Sequence, residues 1–152
     1  MPGLSNKYIQ NLGELMCGKN FAGVYPCDIQ PQFNKRVHKF SVIFNTDKHN
    51  ESGSHFVAIF CNKNKLFYFD PFGKKCTNKY IKKFIVKHLK DRKCFYNATP
   101  IQNIKSLFCG LFCLSFIISE NKQIPFKKYL FSFSKNNKLN DSIVTEMIIK
   151  SI

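Results

Sequence analysis

The chain has 152 residues, 44% of them hydrophobic and 15% aromatic, and a formal net charge of +15. This apolar content excludes a disordered chain, and the apolar run at 107–118 falls well short of the roughly 20 residues that a bilayer span needs, so no membrane contact is expected. The excess of Lys+Arg over Asp+Glu, 24 against 9, predicts salt-sensitive attraction to polyanions, while Lys far outnumbers Arg, which argues against bidentate base reading. Seven cysteines, an odd number, follow a start with no apolar leader, so free or reactive thiols inside a cell are expected rather than secretion. The length suits one domain over 1–152, read as a monomer.

In chain order, Ser5 is placed to cap a helix with Ile9, Leu12 and Met16 on one face, ending near Gly18. Residues 21–31, broken by Gly23, Pro26 and Pro31, read as an irregular stretch tacked onto the core, with Cys27 and Asp28 in structural roles. Phe40–Asn45 reads as a strand, Thr46–Ser54 as a polar hairpin turn, and Ser54–Cys61 as a second strand with Phe56, Ala58 and Phe60 opposite His55, Val57, Ile59 and Cys61. Leu66–Asp70 is a third strand, stopped by Pro71-Phe-Gly73. The short 62–65 connection makes it antiparallel to the second, so His55 and Asp70 arrive at the same open end.

Tyr80, Ile81, Phe84, Ile85 and Leu89 mark an amphipathic helix whose outer face, Lys82, Lys83, Lys87 and Lys90, is the densest basic surface. Cys94–Asn97 is a further short strand leading to Gln102. The segment 107–118, Leu-Phe-Cys-Gly-Leu-Phe-Cys-Leu-Ser-Phe-Ile-Ile, is apolar all round, as a central buried helix is. Pro125 is expected at a helix first position, followed by Phe126, Tyr129, Leu130 and Phe133. A last helix is expected to be capped near Asp141, with Ile143, Val144, Met147 and Ile148 inward. The fold class is α+β: a central helix packed on an antiparallel-dominated sheet, with flanking helices.

An isolated cysteine in such a run reads first as core packing. Cys109, however, opens the helix, where unpaired N–H groups and the positive end of the macrodipole favour thiolate. Gly110 removes bulk beside it, read as room for a substrate, and Gln102 lies seven residues upstream with an amide donor. A thiol nucleophile needs a base, an orienter for the base, and an oxyanion hole. His55, Asp70 and Gln102 with the Cys109 N–H are the candidates. His38, His49 and His88 are rivals for the base, His49 on a polar turn and His88 on the basic helix.

Gly53-Ser-His55-Phe-Val-Ala-Ile, Phe69-Asp-Pro-Phe-Gly73, and Gln102 ahead of Cys109-Gly-Leu-Phe-Cys113 resemble the adenovirus-type cysteine endopeptidases (adenain) and their virophage, Polinton and adintovirus-like relatives, within the wider SUMO-protease-like group. The resemblance implies a cysteine peptidase fold. It implies His55 as catalytic base, Asp70 as acid partner, Gln102 as oxyanion donor and Cys109 as nucleophile. It further implies cleavage of viral precursor proteins beside small residues such as Gly, in the virion and the host cell interior. No cofactor is required for that chemistry, but DNA and a basic peptide are implied as activators, the peptide through a disulfide for which Cys94 lies in roughly the right region. Phe56 stands where the family commonly has Trp, Asp70 where the adenoviral acid is often Glu, and the part after Cys109 is shorter.

Three other readings stand beside this one. One is a SUMO- or ubiquitin-specific protease. Another is an inactive basic relative contacting nucleic acid non-specifically through Lys82, Lys83 and Lys87. The third is a zinc site on Cys109, Cys113 and a His, which no paired Cys-x-x-Cys motif supports; Cys113 reads better as helix packing.

Overall fold

A computed structural model describes residues 4–32, 38–51 and 55–152. The elements run α1 (Asn6–Met16), β1 (Phe21–Pro26), β2 (Lys39–Asn45), β3 (Phe56–Asn62), β4 (Lys65–Phe69), α2 (Lys79–Leu89), β5 (Lys93–Tyr96), α3 (Cys109–Asn121), α4 (Phe126–Phe131) and α5 (Asn140–Ser151). The strands form one sheet in sequence order. Its central pairings, β2–β3 and β3–β4, are antiparallel, and the outer ones, β1–β2 and β4–β5, are parallel. With helices on both faces, this is the expected α+β architecture.

Strand alternation divides the apolar residues between the two faces. Phe56, Ala58, Phe60, Phe67 and Phe69 meet α3 and the helices around it. Val57, Ile59, Cys61, Leu66 and Tyr68 meet Ile81, Phe84 and Leu89 of α2. Helix α3 is buried from Cys109 through Ser119, as its all-round apolarity requires. Phe69 stacks on Phe116 with ring centroids 4.7 Å apart, and the buried Tyr129 and Ser115 hydroxyls meet at 2.6 Å. Ser5 caps α1 by accepting from the Tyr8 N–H, and Asn78 caps α2 by accepting from the Tyr80 and Ile81 N–H groups. Lys82, Lys83, Lys87 and Lys90 are exposed. Among the described residues, no helix is long and apolar enough to cross a membrane.

Four expectations need correction. Residues 21–26 form an edge strand rather than an irregular stretch. Gly23, at φ +124°, lies where the register with β2 shifts, and Pro26 closes the strand; an edge tolerates both. Pro125 stands one place earlier than expected, at the N-cap of α4. The N-cap of α5 is Leu139, after a 3-10 turn over Asn137–Leu139, and Asp141 lies in its first turn with its carboxylate turned elsewhere. Gly110 makes room for a helix, not for a substrate: a Cβ there would lie 2.5 Å from Ile9 Cδ1 of α1. Ser54, placed in the second strand from sequence, lies outside the described residues.

Candidate active site

Continued past its last bridge, the β3–β4 register sets His55 opposite Phe72, and the two rings stack with centroids 4.7 Å apart. His55 Nε2–H donates to Asp70 Oδ1 at 2.8 Å. Cys109, whose backbone opens α3, lies beside the same ring, close enough to raise its pKa, and lines one groove with it. With Nε2 engaged by Asp70, Nδ1 is the nitrogen left for the sulfur. Both partners are buried, Asp70 at 6% exposure and Cys109 at 6%. The hairpin and the tip of the central helix therefore deliver imidazole, carboxylate and thiol to one place.

Burial of His55 disfavours its charged form, but the hydrogen bond to Asp70 and the adjacent Cys109, aided by their charges, outweigh that and raise it to about 9. An imidazolium at neutral pH beside a sulfur is the arrangement a thiolate nucleophile needs. The other cysteines are set differently. Burial pushes Cys17 and Cys61 up to about 12 and the fully buried Cys113 well above its ordinary value. Cys113 is thus a packing group, as read from sequence. Cys94 is exposed on β5.

The acid is held by a turn. Asp70 Oδ1 also accepts from the Phe72 N–H at 2.8 Å, and Asp70 O accepts from the Gly73 N–H at 2.7 Å. The Pro71 carbonyl accepts from both the Ile101 and Gln102 N–H groups, at 2.9 and 3.1 Å. Gly73 sits at φ +74°, and a Cβ on it would lie 2.6 Å from the Pro100 backbone nitrogen. Gly73→Ala thus meets left-handed strain and a backbone clash together. The expected loss is roughly 2–4 kcal/mol, read as a fall in melting midpoint of about 5–10 °C.

Asn97, which sequence reasoning missed, clamps the acid from behind. Its Oδ1 accepts from the Asp70 N–H at 3.1 Å, and its Nδ2 donates to Asp70 O at 2.6 Å. It is 1% exposed and follows β5, which runs parallel to β4. An Asn just past a short strand carries no local signal of this role.

Gln102 is buried and lines a groove of about 520 Å³ together with Cys109, His55, Phe56, Phe72 and Ser106. Its Nε2 donates to the Ser106 carbonyl oxygen at 3.0 Å. Asn6 of α1, Asn45 of β2, and His49 also line the groove. Of the rival histidines, His49 bonds Asp28 through Nδ1, an exposed pair on the rim rather than a contact with the sulfur. Among the described residues, no group of three or more His, Cys, Asp or Glu side chains could hold a metal.

The adenovirus endoprotease family model matches residues 21–150. The protease of Bovine adenovirus 7 is 31% identical over 148 residues, covering 86% of this chain and 72% of that one. Among solved structures, the SUMO protease Ulp1 superposes with a TM-score of 0.53 at 12% identity, covering 98% of this chain and 79% of that one. The ASFV protease superposes with a TM-score of 0.51 at 16% identity, covering 78% of this chain; the chain spans only 46% of that protein. At such identities these two likenesses speak for the fold alone. Matched over most of its length by the family model and by an adenoviral protease, the chain belongs to the adenovirus endoprotease family and is a cysteine endopeptidase.

Proposed function

We propose that this enzyme cuts viral precursor proteins beside small residues such as Gly during virion maturation, in the virion and the host cell interior, with Cys109 as nucleophile and His55 as its acid–base partner. The observation that carries this reading is one imidazole hydrogen-bonded to Asp70 and set beside Cys109 in the lining of one groove. The Cys109 thiolate attacks the scissile carbonyl carbon; a C–S bond forms and the carbonyl π electrons move onto oxygen. The Cys109 N–H, in a helix first turn that lacks intrahelical partners, and the Gln102 amide hold that oxyanion. Collapse breaks the C–N bond, and the His55 imidazolium gives its proton to the departing amine. Water, deprotonated by the neutral imidazole, then attacks the thioester, the C–S bond breaks, and acid product and thiolate are released. No cofactor enters these steps.

A fluorogenic peptide panel tests the substrate class. Preferred turnover of Gly-containing viral-type peptides is expected, whereas preferred cleavage of SUMO or ubiquitin C-terminal reporters would move the enzyme to the de-conjugating class. The exposed Lys82, Lys83 and Lys87 face is proposed to contact DNA non-specifically. Turnover at low salt should then respond to DNA, and charge removal on this face should cancel the response. A peptide activator engaging Cys94 belongs to the same proposal and is read as stimulation lost in Cys94→Ala.

The pH profile follows from His55. Its proton is retained up to about pH 9, so cleavage should decline as pH rises through that value and the acid for the leaving amine is lost. Asp70→Asn keeps an Oδ1 acceptor but removes the charge that helps raise His55, so the alkaline limb should move to lower pH. The variant should also retain more activity than His55→Ala, since orientation is impaired while the proton acceptor stays.

A further inference from the structure

Two residues of the last helix hold the segment that carries Gln102. Gln102 Nε2 donates to the Ser106 carbonyl oxygen at 3.0 Å and, over a longer 3.3 Å, to Ser106 Oγ. Ser106 Oγ–H donates to Asp141 Oδ1 at 2.6 Å. The preceding residue, Asn140, fully buried, donates Nδ2 to the Ile101 carbonyl oxygen at 2.7 Å. Two adjacent residues at the start of α5 thus grip both ends of the segment that carries Gln102.

The grip has a chemical direction. A serine hydroxyl has one proton to give. With that proton committed to Asp141, the Ser106 oxygen can only accept from the Phe108 N–H, at 3.2 Å, and from the Gln102 amide. Gln102 Oε1 is buried with no hydrogen-bond partner among the described residues. A hydroxyl freed from Asp141 would be drawn to that orphaned carbonyl, because an unmet buried acceptor is costly. The Ser106 carbonyl oxygen, at 3.0 Å, still requires the amide N–H, so the freed hydroxyl would compete with it, and the single orientation that two Ser106 acceptors impose would be lost.

We propose that Ser106 and Asp141 are positioning residues: by keeping Ser106 Oγ an acceptor beside the Ser106 carbonyl oxygen, they hold one N–H of the Gln102 amide between the two and leave the other for the oxyanion. This rests on the reading of Gln102 as an oxyanion donor. Steady-state cleavage of a Gly-containing peptide by Ser106→Ala and Asp141→Ala should show kcat reduced about 10-fold or more with KM within about twofold. Affinity for a peptide aldehyde should weaken in parallel, because its hemithioacetal oxygen occupies the same hole. Alkylation of Cys109 by iodoacetamide, a displacement that builds no oxyanion, should stay within about twofold of wild type. Asp141→Asn keeps an Oδ1 acceptor and should recover most of the loss. In a Gln102→Ala background, Asp141→Ala should add little, as expected of groups acting through one another.

Unchanged kcat in both variants while Gln102→Ala is impaired overturns the proposal and leaves Gln102 its role. Full activity of Gln102→Ala overturns that role, and the proposal with it. Alkylation falling in step with cleavage makes the pair general scaffolding of the helix tip and overturns the proposal as well.

Discussion

Cys109→Ala is expected to abolish peptide cleavage, a fall of about 10⁴-fold or more, with an unchanged melting curve. The thiol stands in the first turn of a helix otherwise held by Phe112, Phe116 and their neighbours, so removing one sulfur leaves the core contacts in place. His55→Ala should lose activity on a similar scale, because the ring bonded to Asp70 is the one set beside the sulfur. The double variant should fall no further than the worse single one, as expected of groups that act as one unit. Turnover of a fluorogenic peptide, paired with thermal unfolding followed by circular dichroism, reads all three. Wild-type turnover in Cys109→Ala would remove the sulfur from the mechanism.

Gln102→Ala should lower kcat by about 10²–10³-fold while KM changes little, because the donor is needed most when charge builds on the substrate oxygen. The hydrogen bonds of its backbone N–H to Pro71 and of Asn140 to Ile101 O do not depend on the Gln102 side chain, so the loop should keep its course. A kcat effect without a fall in melting midpoint is therefore the expected signature. A fall in both would place Gln102 in the scaffold instead.

The hairpin that carries His55 and Asp70 was legible because two-residue periodicity and a short connection are local facts. Alternation put Phe56, Ala58 and Phe60 on one face and Val57, Ile59 and Cys61 on the other, and counting along the loop brought His55 and Asp70 to one end. Helix α3 was legible because the run 107–118 carries no charge and almost no polar side chain. What stayed hidden depends on distant partners. Strand β1 was masked by Gly23 and Pro26, which signal a break unless a parallel neighbour tolerates them at an edge. Gly110 answers to Ile9 from the other end of the chain. Asn97 reaches Asp70 across 27 positions, Asp141 reaches Ser106 across 35, and Asn140 reaches Ile101 across 39. A polar residue in a loop looks alike whether it faces solvent or pins an active-site backbone, so single-sequence patterns carry no mark of these contacts.

The Pro71 carbonyl, which accepts from both Ile101 and Gln102, lies one residue beyond the acid that orients His55. Through it, the tether of the carboxylate and that of the amide form one mechanical unit. A shift of the turn is passed to both through that shared carbonyl. The sulfur, rooted in a different element, is the part against which that unit must be aligned.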